Sequence, residues 1–252
     1  WANFARNHDE LTLDKLTDEE RAEVFAAFGP DPDMQLYGRG LRRRLPSMLG
    51  GDERRMRLTY SLVFSLPGTP VLFYGEEIGM AENLEVPGRL AVRTPMQWTA
   101  GDGGGFSTAP PRRLTRPFPQ GLYAPDRVNV TDQRHDPTSF WWFIRRLIYR
   151  YRQLPQIGWS TVEVLRHANP AVLAHVCREL SGWSMVGLHN FGADRTMVQV
   201  DLGETPEGTM LTDLLEDRPP VPLGRDGTVD LDLEGYGFRW LRVLRPDDRP
   251  LI

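Results

Sequence analysis

The run Pro70-Val71-Leu72-Phe73-Tyr74-Gly75 restricts this chain more than any other, because it is short, continuously apolar, bounded by breakers and followed by the acidic pair Glu76-Glu77. A strand that is apolar on both faces belongs in a parallel sheet covered on both sides. The segment before it supplies the crossover. Asp52 can cap a helix whose Met56, Thr59, Tyr60, Val63 and Leu66 recur at spacings of three and four, and Pro67-Gly68 ends it. The opening residues repeat the pattern, with apolar Trp1, Phe4 and Ala5 leading into Asn7-His8-Asp9-Glu10. Strand, helix and strand, each strand ending in polar groups, make a parallel βαβ unit, and ligands of such units sit beyond the carboxyl ends of the strands. Residues 7–10 and 75–77 are therefore expected on one functional face. Taken alone, Asn7-His8-Asp9 also reads as a polar turn capping the helix that follows.

With 252 residues, 40% of them apolar and 25% charged, the chain is long enough for one large or two smaller globular domains. A net charge of -4 gives no electrostatic footprint for nucleic acid, although all of the 30 basic residues except Lys15 are arginine. The densest basic cluster, Arg42-Arg43-Arg44, lies near Asp52 and Glu53 and is expected on a solvated face or in local ion pairs rather than around a phosphate. Cys177, the one cysteine, sits among Val172, Ala174 and Val176 and reads as a small buried hydrophobe, with a cytoplasmic location expected. No apolar run approaches the ~20 residues of a membrane span, and no charged leader with a cleavage site is visible. His8, His135, His167, His175 and His189 lack metal-ligand spacing, so no metal site is expected, and those after His8 read as surface or strand residues.

Along the chain, Thr17-Asp18-Glu19-Glu20 is a capping box that opens a helix through Val24 and Phe25 to about Phe28, stopped by Gly29-Pro30-Asp31-Pro32. Residues 78–136 are rich in Gly and Pro without a sustained period, a loop long enough to be functional. Asp136-Pro137 then begins a helix with an apolar stripe of Phe140, Trp141, Ile144, Leu147, Ile148 and Tyr151, read as core packing against a sheet rather than as a ligand platform. Beyond Gly158 come seven short runs of alternating or β-branched residues, at 161–165, 172–178, 185–190, 197–202, 210–215, 229–233 and 238–243, which predict an antiparallel sandwich. The domains expected are 1–157 and 158–252.

Three motifs identify a relative. Arg6-Asn7-His8-Asp9-Glu10-Leu11, the stretch 65–80 ending Phe73-Tyr74-Gly75-Glu76-Glu77-Ile78-Gly79-Met80, and Val92-Arg93-Thr94-Pro95-Met96-Gln97-Trp98 stand in the order found in the α-amylase superfamily of glycoside hydrolases, which the chain resembles over nearly its whole length. The resemblance implies an α/β plus all-β fold: the C-terminal part of a (β/α)8 barrel, its last two strand-helix units, followed by an antiparallel β-sandwich. It implies that Asp9 is the carboxylate that holds sugar hydroxyls and stabilises the oxocarbenium-like transition state, and that His8 hydrogen-bonds the same hydroxyls. Arg93 is the candidate substrate-facing cation, with pairing to a neighbour such as Glu76 as the alternative; Glu76 and Glu77 are weighed as structural.

The implied substrates are small saccharides such as maltose, trehalose and α-glucosides, without nucleic acid or membrane partners. No cofactor is identified; calcium stays open for a full-length enzyme, since Asp31, Asp33 and Asp102 do not make a ligand set. A retaining enzyme of this kind also needs a nucleophile and a general acid roughly 5 to 5.5 Å apart, and in this family both lie on strands that would precede Trp1. The chain is accordingly expected to be one segment of a longer enzyme and inactive by itself. Isomerisation, hydrolysis and transglycosylation stay open, as does a non-catalytic glycan-binding or interaction module.

Overall fold

In a computed structural model, which describes residues 1–248, Ala2–Asn3 pairs in parallel with Thr69–Pro70, Ala2 opposite Thr69 and Asn3 opposite Pro70. The helix that precedes the second strand spans Glu53–Ser65, and Asp52 Oδ1 accepts the Arg54 amide at 3.0 Å, as the capping pattern predicts. Contacts gather Trp1–Asn3, Arg57–Pro70 and residues 146–248 into one unit, and Phe4–Met56 with Val71–Arg145 into another.

In the first unit the pairing is parallel as expected, but the second strand is only Thr69–Pro70 rather than the run 70–75, and Trp1 is 98% exposed. In the second, Val71 and Tyr74 keep 43% and 40% of their surface, against the expected burial on both faces. A parallel strand is buried that way only when further strands flank it and helices cover it, and among the described residues this parallel sheet has two strands.

The aromatic helix spans Phe140–Gln153, three residues later than Pro137 suggests. Asp136 Oδ1 accepts both the amide and the hydroxyl of Thr138, at 2.8 and 2.7 Å, which holds Pro137 in a turn. In the first unit Leu147 is fully buried, Tyr151 donates to Gly68 O at 2.6 Å, and its ring meets Phe64 edge-on at 6.1 Å, so the stripe is core; Ile148 turns to solvent.

All seven expected strands form, joined by Val221–Pro222. A six-stranded antiparallel sheet runs in the order Val221–Pro222, Met210–Asp213, Phe238–Leu244, Ser184–Asn190, Val172–Arg178, Thr161–Val164, and Thr228–Leu233 pairs with Thr196–Asp201 in a second sheet. Alternate residues such as Val172, Ala174 and Val176 on one strand, with Val186, Leu188, Val198, Val200, Leu231 and Leu241 from others, fill the core between the sheets.

The central strand Ser184–Asn190 is buried at every position because its other face is covered too. There a polar seam joins the sheet to the helix: Trp240 Nε1 donates to Ser61 Oγ at 3.0 Å, Ser61 Oγ shares a hydrogen bond with His189 Nε2 at 3.0 Å, and His175 Nε2 donates to Ser65 O at 3.2 Å. The two imidazoles stack at 5.7 Å with 11° between their planes. Cys177 is buried beside them, as expected, and burial pushes its thiol pKa up. Gly187 lies under the His175 ring, where a Cβ would come within 2.3 Å of Cε1. Gly187→Ala is expected to destabilise the chain by about 1–3 kcal/mol through overpacking; a urea midpoint equal to that of the parent would refute this.

In the second unit the helix Asp18–Phe28 carries the expected capping box, Glu20 N donating to Thr17 Oγ1 and Thr17 N to Glu20 Oε2, yet none of its side chains is buried. Three two-residue strands, Leu11–Thr12, Gln35–Leu36 and Gly40–Leu41, form a small antiparallel sheet too short to show a period.

The arginine cluster departs from expectation. Arg42 and Arg44 are buried, and Arg43 pairs with Glu82, distant in sequence, at 3.1 Å. Arg42 donates to the carbonyls of Val86 and Leu84 at 2.7 and 3.0 Å, and Arg44 lies 4.8 Å over the Phe73 ring while donating to Tyr74 O. Loop carbonyls that lack a secondary-structure partner need donors, and a guanidinium supplies five in one plane. The long loop is built of short 3-10 turns and one α-helix, Val130–His135, capped by Asn129. Buried Gln97 donates to Tyr123 O at 3.1 Å, and Met96 packs with Ile78, Met80, Val128, Val130 and Trp141.

Candidate functional site

Beyond the first strand the backbone is fixed before Asp9 is reached. The buried Arg6 donates from Nε to Arg43 O and from Nη2 to Asp9 O, each at 2.7 Å, and Asn7 Oδ1 accepts the Asp9 amide at 2.8 Å in an Asx turn. The Asp9 carboxylate, 30% exposed, is thereby held at the protein surface. Its Oδ1 accepts from Arg89 Nη1 at 2.7 Å and from Arg93 Nη2 at 3.0 Å, and its Oδ2 lies 3.4 Å from His8 Nε2. Arg93 also donates from Nε to His8 O at 2.7 Å, so one guanidinium ties the two neighbours together.

The hydrogen bond from Arg89 holds the Asp9 carboxyl below the usual carboxylate range, with the charges of Arg89, His8 and Arg93 adding to it and slight desolvation opposing. The group is ionised throughout the neutral range.

Tyr74, the residue before 75–77, donates from its hydroxyl to Thr94 O at 2.7 Å, next to the arginine on Asp9. Glu76 is buried and accepts the Phe73 amide at 2.7 Å, shaping the turn rather than meeting Arg93. Arg93 lines a cavity of about 770 Å3 with Tyr74, Glu77, Met96, Trp98 and Phe106. Asp9 and Arg89 line another of about 520 Å3, with Asn7, Glu10, Tyr37 and Arg39. Among the described residues no three His, Cys, Asp or Glu side chains gather as metal ligands.

Sequence reasoning missed Arg89 and Tyr37. Arg89 stands four residues before Arg93 in the turn Gly88–Val92, a spacing that puts both guanidinium groups on one side of a tight loop. Tyr37 and Gly38 both have left-handed backbones, φ 57° and 65°, in the turn between Gln35–Leu36 and Gly40–Leu41. For tyrosine this conformation costs roughly 1–2 kcal/mol. The Tyr37-Gly38 dipeptide before Arg39 is the signal that could have found it.

Residues 41–157 match the alpha amylase catalytic domain and residues 182–242 the sucrose hydrolase-like C-terminal domain. The chain belongs to the alpha-amylase family of glycoside hydrolases. It is 39% identical over 259 residues to the trehalose synthase of Pimelobacter sp. (strain R48), covering 100% of this chain and 44% of that protein. It is likewise 38% identical to the trehalose synthase/amylase TreS of Mycobacterium tuberculosis, covering 96% of this chain and 40% of that protein. The fold is that of Bacillus licheniformis trehalose-6-phosphate hydrolase, at a TM-score of 0.64 and 17% identity over 97% of this chain and 43% of the hydrolase. The chain thus spans less than half the length of these relatives. No helix among the described residues is long and apolar enough to cross a membrane.

Proposed function

We propose that this chain is the C-terminal part of a trehalose-synthase-like enzyme that interconverts maltose and trehalose with retention, residues 1–157 completing its barrel and 158–252 supplying its sandwich domain. The identity of 39% to a trehalose synthase across the whole chain carries this reading. In it Asp9 accepts sugar hydroxyls and faces the positive charge that develops at the anomeric carbon, while His8 and Arg93 bind and orient the same sugar. An ionised carboxylate on a backbone pinned by Arg6 and Asn7, itself held by Arg89 and Arg93, suits that role, because a preorganised charge costs no reorganisation when the transition state forms. Nucleophile and general acid come from outside these residues, and the enzyme works in the cytoplasm.

Incubating the complete polypeptide with maltose and following the anomeric signals by NMR tests the reading: trehalose is the expected product, and glucose alone would favour a hydrolase of the same family. The isolated chain is expected to turn over neither maltose, trehalose nor an aryl α-glucoside. Turnover that disappears in Asp9→Ala would overturn that expectation.

A further inference from the structure

We propose that Tyr37 is a further sugar-binding residue beside Asp9, its ring forming the wall on which the apolar face of a glucosyl ring stacks while the carboxylate takes the hydroxyls. The inference rests on the reading of Asp9 as a sugar-binding carboxylate. Tyr37 occupies a left-handed position that glycine would fill without strain, and the residue is 60% exposed, so core packing does not account for it. The cavity it lines is the one that holds Asp9 and Arg89. Tyr236, which has the same φ of 57°, is half-buried and lines no cavity described above.

The ring is also backed by a cation. Arg39 lies 5.9 Å from its centroid and is itself held by Glu10 and Asp14, each at 3.6 Å. The turn is tied to the segment that carries Asp9, since Leu11 pairs with Leu41 and Thr12 with Gly40, two and three residues beyond Asp9. A hexopyranose presents C–H groups on its ring faces and hydroxyls at its rim, which complements an aromatic ring and a carboxylate that line one cavity.

The test is a titration of the full 15N-labelled chain with maltose and with trehalose, read from backbone amide shifts, in the parent, Tyr37→Phe and Tyr37→Gly. The parent should show saturable shifts at residues 7–9 and 37–39, and Tyr37→Phe should match it. Tyr37→Gly, which relieves the backbone, should melt at the same temperature or higher yet bind about 2- to 12-fold more weakly. An unchanged titration curve for Tyr37→Gly, with shifts at residues 7–9 intact, would overturn the role of Tyr37 and leave the reading of Asp9 standing. A lower melting temperature with unchanged affinity would make Tyr37 structural. No saturable shift at residues 7–9 in the parent would overturn both.

Discussion

Asp9→Asn in the complete enzyme is expected to lower kcat by about 10² to 10³, or roughly 2.7–4 kcal/mol, by analogy with deletion of a single preorganised electrostatic group. The charge at the anomeric carbon exists mainly in the transition state, so the loss should appear in kcat and kcat/KM with only a modest rise in KM. The geometry adds a second cause. Without the carboxylate, Arg89 and Arg93 are left facing the site with their charge uncompensated, which opposes a developing cation. His8→Ala should weaken binding and turnover together if His8 binds the sugar as proposed, because a hydrogen bond of that kind acts in the ground state as well. Steady-state kinetics and melting temperature measured on the same Asp9→Asn preparation decide the matter. A destabilised but fully active enzyme would remove Asp9 from the chemistry and reduce it to an anchor for the two arginines.

Acid should destabilise the first unit through His175 and His189. Burial lowers the pKa of both, that of His189 strongly, and each imidazole faces the other as a second titratable ring. The folded state therefore binds fewer protons than the unfolded one below the ordinary histidine pKa of 6.5. Stability is at its full value above that pH and falls as pH drops towards the folded pKa values, by up to ~1.4 kcal/mol per pH unit for each histidine. Urea midpoints measured from pH 7.5 to pH 4.5 should show the decline, and replacing both histidines with glutamine should flatten it. A parent midpoint that does not change across this range would mean that the seam opens to water without cost.

The strands, the capping box and the order of the three motifs are all legible because each depends on residues close together in the chain. Thr17 reaches Glu20 through three residues, and the alternation in Thr196–Asp201 needs only the period of the pleat. Asp9, His8 and Arg93 can be named from motifs, but their grouping cannot be seen: Arg93 is 84 residues from Asp9, and the alternative partner for it, Glu76, is engaged by the Phe73 amide. The burial of the arginine cluster is hidden for the same reason. Nothing near residues 42–44 shows that the carbonyls of Leu84 and Val86 lie within reach and need donors.

What the sequence determined by itself was the succession of elements: a parallel crossover, a long loop, an aromatic helix and a run of antiparallel strands, with an acidic residue just past the first strand. These follow from periodicity and from breakers, which act within a few residues. Only the tertiary structure decided that Val71 and Tyr74 stay exposed, that Arg89 shares Asp9 with Arg93, that Tyr37 lines the same cavity, and that two histidines stack on each other and hydrogen-bond Ser61 and Ser65. Each depends on groups brought together from distant parts of the chain, where burial and charge are set by neighbours that no local pattern encodes.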